Sequence, residues 1–206
     1  MSDAHRDGWA AAHHGLRPES VPGLARWLRA VRTVAEPLAR VGVPPLMLTG
    51  GGVIAAVFAA FLADDMPWLA LLLVLASVGC DAIDGSVAVL SGTASRRGEV
   101  ADRAADRICD CLFALILWRV GAPWWLALLA AGTCLLHEGF REWRGGVLLV
   151  RLTVAERPTR VICTVIALAL AGYGAGAWTA TVCATVWIAL TGIGFDQLLR
   201  RTGPST

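Results

Sequence analysis

From residue 24 onward, apolar side chains recur every three or four positions: Leu24, Trp27, Leu28, Val31, Ala35 and Leu38. Arg26, Arg29, Arg32 and Glu36 fill the intervals. This spacing predicts an amphipathic helix over residues 24–40 with a basic face, suited to lying among lipid headgroups. Past residue 45 the pattern changes. Charge withdraws into short blocks separated by six apolar runs: Met47–Ala63, Met66–Leu90, Val100–Val120, Pro123–Trp143, Arg160–Trp178 and Thr179–Leu199. Runs of about 18 or more apolar residues read as transmembrane helices. Trp68, Trp118, Trp124, Trp125, Trp143 and Trp178 fall near the run ends, where interfacial aromatics belong. The expected fold is all-α: a polytopic membrane protein of six transmembrane helices preceded by an N-terminal amphipathic interfacial helix, forming one domain over residues 1–206. Residues 1–20 are polar, carry His13 and His14, and contain no apolar stretch of the signal-peptide kind. They read as a disordered cytoplasmic tail.

Composition agrees. Hydrophobic residues make up 56% of the chain and mean hydropathy is +0.62, too apolar for a water-facing globule. The net charge of +2 is small, and every basic residue is an arginine. Their placement matters more than their sum. With the N-terminus inside, all of the 18 arginines except Arg119 fall on the cytoplasmic side. Asp64 and Asp65 accompany Arg119 outside. This is a strong positive-inside pattern, and an even number of spans returns the C-terminus to the cytoplasm. The expected location is the cell (inner) membrane, and no nucleic-acid partner is implied. The six cysteines form no CxxC pair and lie mostly in apolar runs, where they read as small buried hydrophobes.

The chemistry concentrates in one stretch. Asp81 and Asp84 are three apart and share a helix face, with Gly85 and Ala88 on the same face. On the next helix Gly98, Asp102 and Asp106 are spaced by four and share another. A short cytoplasmic loop, Ser91 to Arg97, joins the two helices, so they should pack antiparallel. Carboxylates converging at the membrane surface repel one another unless cations intervene. An all-oxygen set without His or Cys suits Mg²⁺ or Mn²⁺ over zinc. Small neighbours leave room for a bulky ligand, and a metal cluster beside them suits a diphosphate. Acids inside a membrane are costly and usually functional.

Asp81-x2-Asp84-Gly85-x2-Ala88, followed by Gly98-x3-Asp102-x3-Asp106, resembles the signature of the CDP-alcohol phosphatidyltransferases. The leading amphipathic helix, the six spans and a Pro45-x3-Thr49 opening to the first span agree in layout. The resemblance implies a usually dimeric membrane enzyme whose site opens to the cytoplasm. It further implies that Asp81, Asp84, Asp102 and Asp106 bind divalent ions, and that Asp106 also serves as general base. Gly85, Ala88, Ser95 and Gly98 would line the site for the donor, CDP-diacylglycerol. Two positions depart from the family pattern: Val89 stands where it has Arg, and Leu46 where it often has Asn. Both border the nucleotide half of the site.

An acceptor alcohol must come from the cytoplasm. Arg141, Arg144, Arg151, Arg157 and Arg160 cluster at the cytoplasmic ends of the fourth and fifth spans. Of these, Arg141, Arg151, Arg157 and Arg160 are candidates to bind a phosphorylated polyol such as glycerol 3-phosphate or inositol phosphate. Positive-inside topology alone also accounts for them. His137-Glu138 reads as a packing or hydrogen-bonding pair. A thiol-bearing zinc site at Cys109, Asp110 and Cys111 is disfavoured because these residues do not share one helix face. Two other functions stay open: a divalent-cation transporter using the aspartates, and a family member acting as a scaffold. Against transport, the acids sit on one side of the membrane and no internal repeat is visible.

Overall fold

The computed structural model describes residues 24–144 and 153–202. The described residues form seven helices: α1 (Leu24–Val41), α2 (Pro45–Leu62), α3 (Pro67–Leu90), α4 (Arg96–Arg119), α5 (Trp124–Arg144), α6 (Arg157–Gly172) and α7 (Trp178–Thr202). No strand occurs among the described residues. The 1–20 tail lies outside them, as does Arg151.

The helix boundaries follow proline and glycine. Pro45 and Pro67 open α2 and α3, and Pro158 sits in the first turn of α6. The ring presets φ, and the missing N–H is one that would have no partner within the helix. Gly174, at φ +77°, ends α6. Its N–H bonds the Ala171 carbonyl, and the Ala175 N–H bonds that of Leu170, the Schellman arrangement. The helix therefore stops at Gly172, short of the predicted span end at Trp178. Gly92 ends α3 in the same way, at φ +66°.

Three helices, Pro45–Leu62, Pro67–Leu90 and Trp178–Arg200, are long and apolar enough to cross a membrane by that measure. The others differ for physical reasons. α4 and α5 carry charged residues through about half their length, and α6 has 16 residues. α1 is an 18-residue helix with Val31 and Ala35 buried and Arg26, Arg29 and Arg40 exposed.

The described chain divides into two compact units. One comprises the residues up to Ile54 with Ala76–Asp106, the other Ala55–Leu75 with the residues from Arg107. In the second, α7 packs against α5 and α6. Ala130, Ala167, Ala180 and Ala184 are fully buried, and so is the large Trp187. Small residues let helix backbones approach where lipid supplies no hydrophobic drive. Gly172 serves the same end: a Cβ there would lie 2.6 Å from the Trp68 indole, whose Nε1–H donates to the Gly172 carbonyl at 3.2 Å. Cys109, Cys134, Cys163 and Cys183 are buried, and none of the cysteines is paired.

Candidate metal and phosphate-transfer site

The site belongs to the first unit, where α3 supplies Asp81 and Asp84 and α4 supplies Asp102 and Asp106. The two helices meet through the 91–95 turn. Ser91 and Thr93 hydroxyls share a 2.8 Å hydrogen bond there, and the Ser91 hydroxyl also donates to the Val87 carbonyl at 2.7 Å. Ser95 then caps α4: its Oγ accepts the Gly98 N–H at 3.2 Å. A hydroxyl at this position satisfies one of the orphan donors of the first turn. Ser95, a predicted donor-site residue, thus accepts one helix N–H and keeps its proton to donate.

Asp81, Asp102 and Asp106 come together. One oxygen from each lies within 4.8 Å of the others, and all three side chains are half-buried. Oxygens on opposite sides of an Mg²⁺ stand about 4 Å apart, so small side-chain rotations would close this set around one hard cation. The residues present therefore fit a divalent ion. Asp84 is not in that group. It is buried, and its Oδ2 accepts a 2.5 Å hydrogen bond from the Thr49 hydroxyl on α2. It still lies within electrostatic reach of Asp102 and Asp81.

Of the small residues, Gly85 and Ala88 follow Asp84 on α3, and Gly98 precedes Asp102 on α4. Gly85 is exposed, and a Cβ built on it would meet nothing within 4 Å. Ala88 is half-buried and Gly98 exposed. Val89 is half-buried on α3, and Arg96 and Arg97 are exposed at the start of α4.

Arg141, Arg157 and Arg160 fall in the second unit, where Arg141 and Arg160 belong to a charge network that spacing did not reveal. Arg160 is buried, donates to Asp110, Glu138 and the Ala155 carbonyl, and so ties α6 to α4 and α5. Glu138 is the hub: Arg107 and Arg141 each lie 3.5 Å from its Oε2. Arg141 also bonds Glu156 at 3.0 Å, and Arg107 bonds Glu142 at 3.0 Å. Glu156 in turn accepts the Thr153 N–H at 2.9 Å. Arg157 stands half-buried on the first turn of α6. Asp110, weighed with Cys109 and Cys111 as a metal ligand, is an ion-pair partner instead, with the Cys134 thiol 3.5 Å away. His137 is fully buried beside Glu138, in keeping with a packing role.

Sequence alone missed Asp110, Glu138 and Glu156 as partners of these arginines. The usable signal was that acids inside apolar helices need cations of their own.

No curated protein was found to match the chain. A family match runs from residue 43 to residue 194, from just before α2 through most of α7 and well over half of the chain. This chain belongs to the CDP-alcohol phosphatidyltransferase family.

Proposed function

We propose that this protein moves a phosphatidyl group from CDP-diacylglycerol to a cytoplasmic alcohol and releases CMP. The observation that carries the reading is the gathering of Asp81, Asp102 and Asp106 within 4.8 Å in a chain of this family. Asp81, Asp84, Asp102 and Asp106 hold Mg²⁺ or Mn²⁺. When bound, such an ion supplies charge neutralisation for the donor diphosphate and for the charge that builds on it during transfer.

The chain's own residues do the rest. Gly85, Ala88, Gly98 and Ser95 border the space for the CDP moiety, and the open side of Gly85 lets the diphosphate approach the α3 backbone. Asp106 takes the proton from the acceptor hydroxyl, which then attacks the lipid-bearing phosphorus while CMP leaves. A phosphorylated acceptor such as glycerol 3-phosphate or inositol phosphate draws on Arg141, Arg151, Arg157 and Arg160. At Arg141 and Arg160 its phosphate competes with Glu138, Glu156 and Asp110 for guanidinium groups already engaged.

The protein sits in the cell membrane as a homodimer with six spans, α2 to α7, and both termini in the cytoplasm. α1 lies along the inner surface with its arginines toward anionic lipid. Large apolar side chains exposed on helices other than the three long apolar ones support the span count: Leu128 and Leu136 on α5 and Ile162 on α6. Such surfaces belong in lipid.

The test is direct. Purified protein receives radiolabelled CDP-diacylglycerol, Mg²⁺ and a panel of free and phosphorylated alcohols, and CMP release is followed. Turnover with one acceptor class is the expected outcome. No CMP release with any acceptor would refute the transferase reading.

A further inference from the structure

We infer that Thr49 is a positioning residue for the ion site, holding the Asp84 carboxylate in a fixed orientation through its hydroxyl. The inference rests on the metal reading of the aspartates and adds a residue to it from a third helix.

Thr49 Oγ1 lies 2.5 Å from Asp84 Oδ2 and 3.2 Å from the Pro45 carbonyl. A hydroxyl has one proton to give. The closer acceptor, the Asp84 carboxylate, takes it. Asp84 is buried and Thr49 half-buried, so water competes weakly for this bond. The bond to Thr49 fixes which way the Asp84 carboxylate faces and leaves lone pairs on it for an ion. Thr49 thereby sets the direction of the Asp84 carboxylate before any ion arrives.

The packing of α2 on α3 explains how Thr49 reaches so far. Gly52, one turn further along α2 and on the same face, sits where a Cβ would be 3.1 Å from the Ser77 carbonyl and 3.3 Å from Cys80 Cβ. The two backbones touch at that point. Running antiparallel from there, the helices place Thr49 opposite Asp84. The Pro45 start fixes where α2 begins, and the glycine fixes how close it comes.

Groups that orient a ligand are worth about 10–100-fold in metal affinity. The test measures Mn²⁺ binding to the full-length protein in detergent, by the loss of free-ion electron paramagnetic resonance signal. Metal-free melting temperature is recorded alongside. Thr49→Val removes the hydroxyl and keeps the shape, Thr49→Ser keeps the hydroxyl, and Thr49→Ala replaces valine if that variant fails to fold. The expected result is an affinity about 10–100-fold weaker for Thr49→Val, near-wild-type binding for Thr49→Ser, and little change in metal-free melting. Equal Mn²⁺ affinity in wild type and Thr49→Val overturns the proposal, as does tighter binding by Thr49→Val. Thr49→Ser behaving like Thr49→Val also overturns it. Wild type that binds no Mn²⁺ overturns the metal reading itself, a result distinct from the others.

Discussion

Asp106 on α4 and Glu138 on α5 sit in very different surroundings. Asp106 shares its surroundings with Asp81 and Asp102, a like-charged group that the proposed cation would relieve. Glu138 is surrounded by Arg107, Arg141 and Arg160, so its charge is already compensated. Their substitutions should therefore separate. Asp106→Asn is expected to lower the rate of CMP release by about 10²–10⁴-fold, the range for losing a general base, while leaving the protein folded. Unchanged turnover would remove Asp106 from the base role. Glu138→Ala is expected to destabilise the fold by about 3–5 kcal/mol, because it strands buried guanidinium charge. Reversible unfolding in detergent checks this, and a loss under about 1 kcal/mol would mean the network contributes little. Val89→Arg restores the cation of the family pattern. It should lower KM for the donor with kcat unchanged, the signature of binding added equally to ground and transition states.

At the scale of elements, the close approaches carry the prediction. Gly172→Leu drives a side chain into the Trp68 ring and breaks the Trp68 bond to the Gly172 carbonyl. It should cost about 1–3 kcal/mol and change tryptophan fluorescence, and unchanged melting would show that the contact gives way freely. Much of the helix layout was legible in the sequence because apolar length, proline starts and glycine ends are local signals. The α3 and α4 boundaries fell within a few residues of Met66–Leu90 and Val100–Val120. The α6 end did not, since apolar residues continue past Gly172 and the stop depends on the φ of Gly174. The gathering of Asp81, Asp102 and Asp106 followed from helical spacing and a short loop. The separate hydrogen bonding of Asp84 did not, because it depends on Thr49 from a helix 35 residues away. The engagement of Arg160 by Asp110 and Glu138 was hidden for the same reason: it pairs residues from α4, α5 and α6.

For the whole molecule, the proposed topology and the proposed chemistry depend on one another. CDP-diacylglycerol and a water-soluble alcohol meet only if the aspartates open to the side where the acceptor is made. Topology can be read by labelling intact cells with a membrane-impermeant thiol reagent, in a background whose native cysteines are replaced by alanine. Asp65→Cys should react from outside and Gly92→Cys only after permeabilisation; the reverse pattern would put the site on the wrong face. The central claim remains that α3 and α4 bring their acids together to hold a divalent cation. The most direct measurement is anomalous diffraction from crystals grown with Mn²⁺. The account predicts a peak within coordination distance of Asp81, Asp102 and Asp106. Those three side chains turned to separate surfaces, with no peak among them, would contradict it.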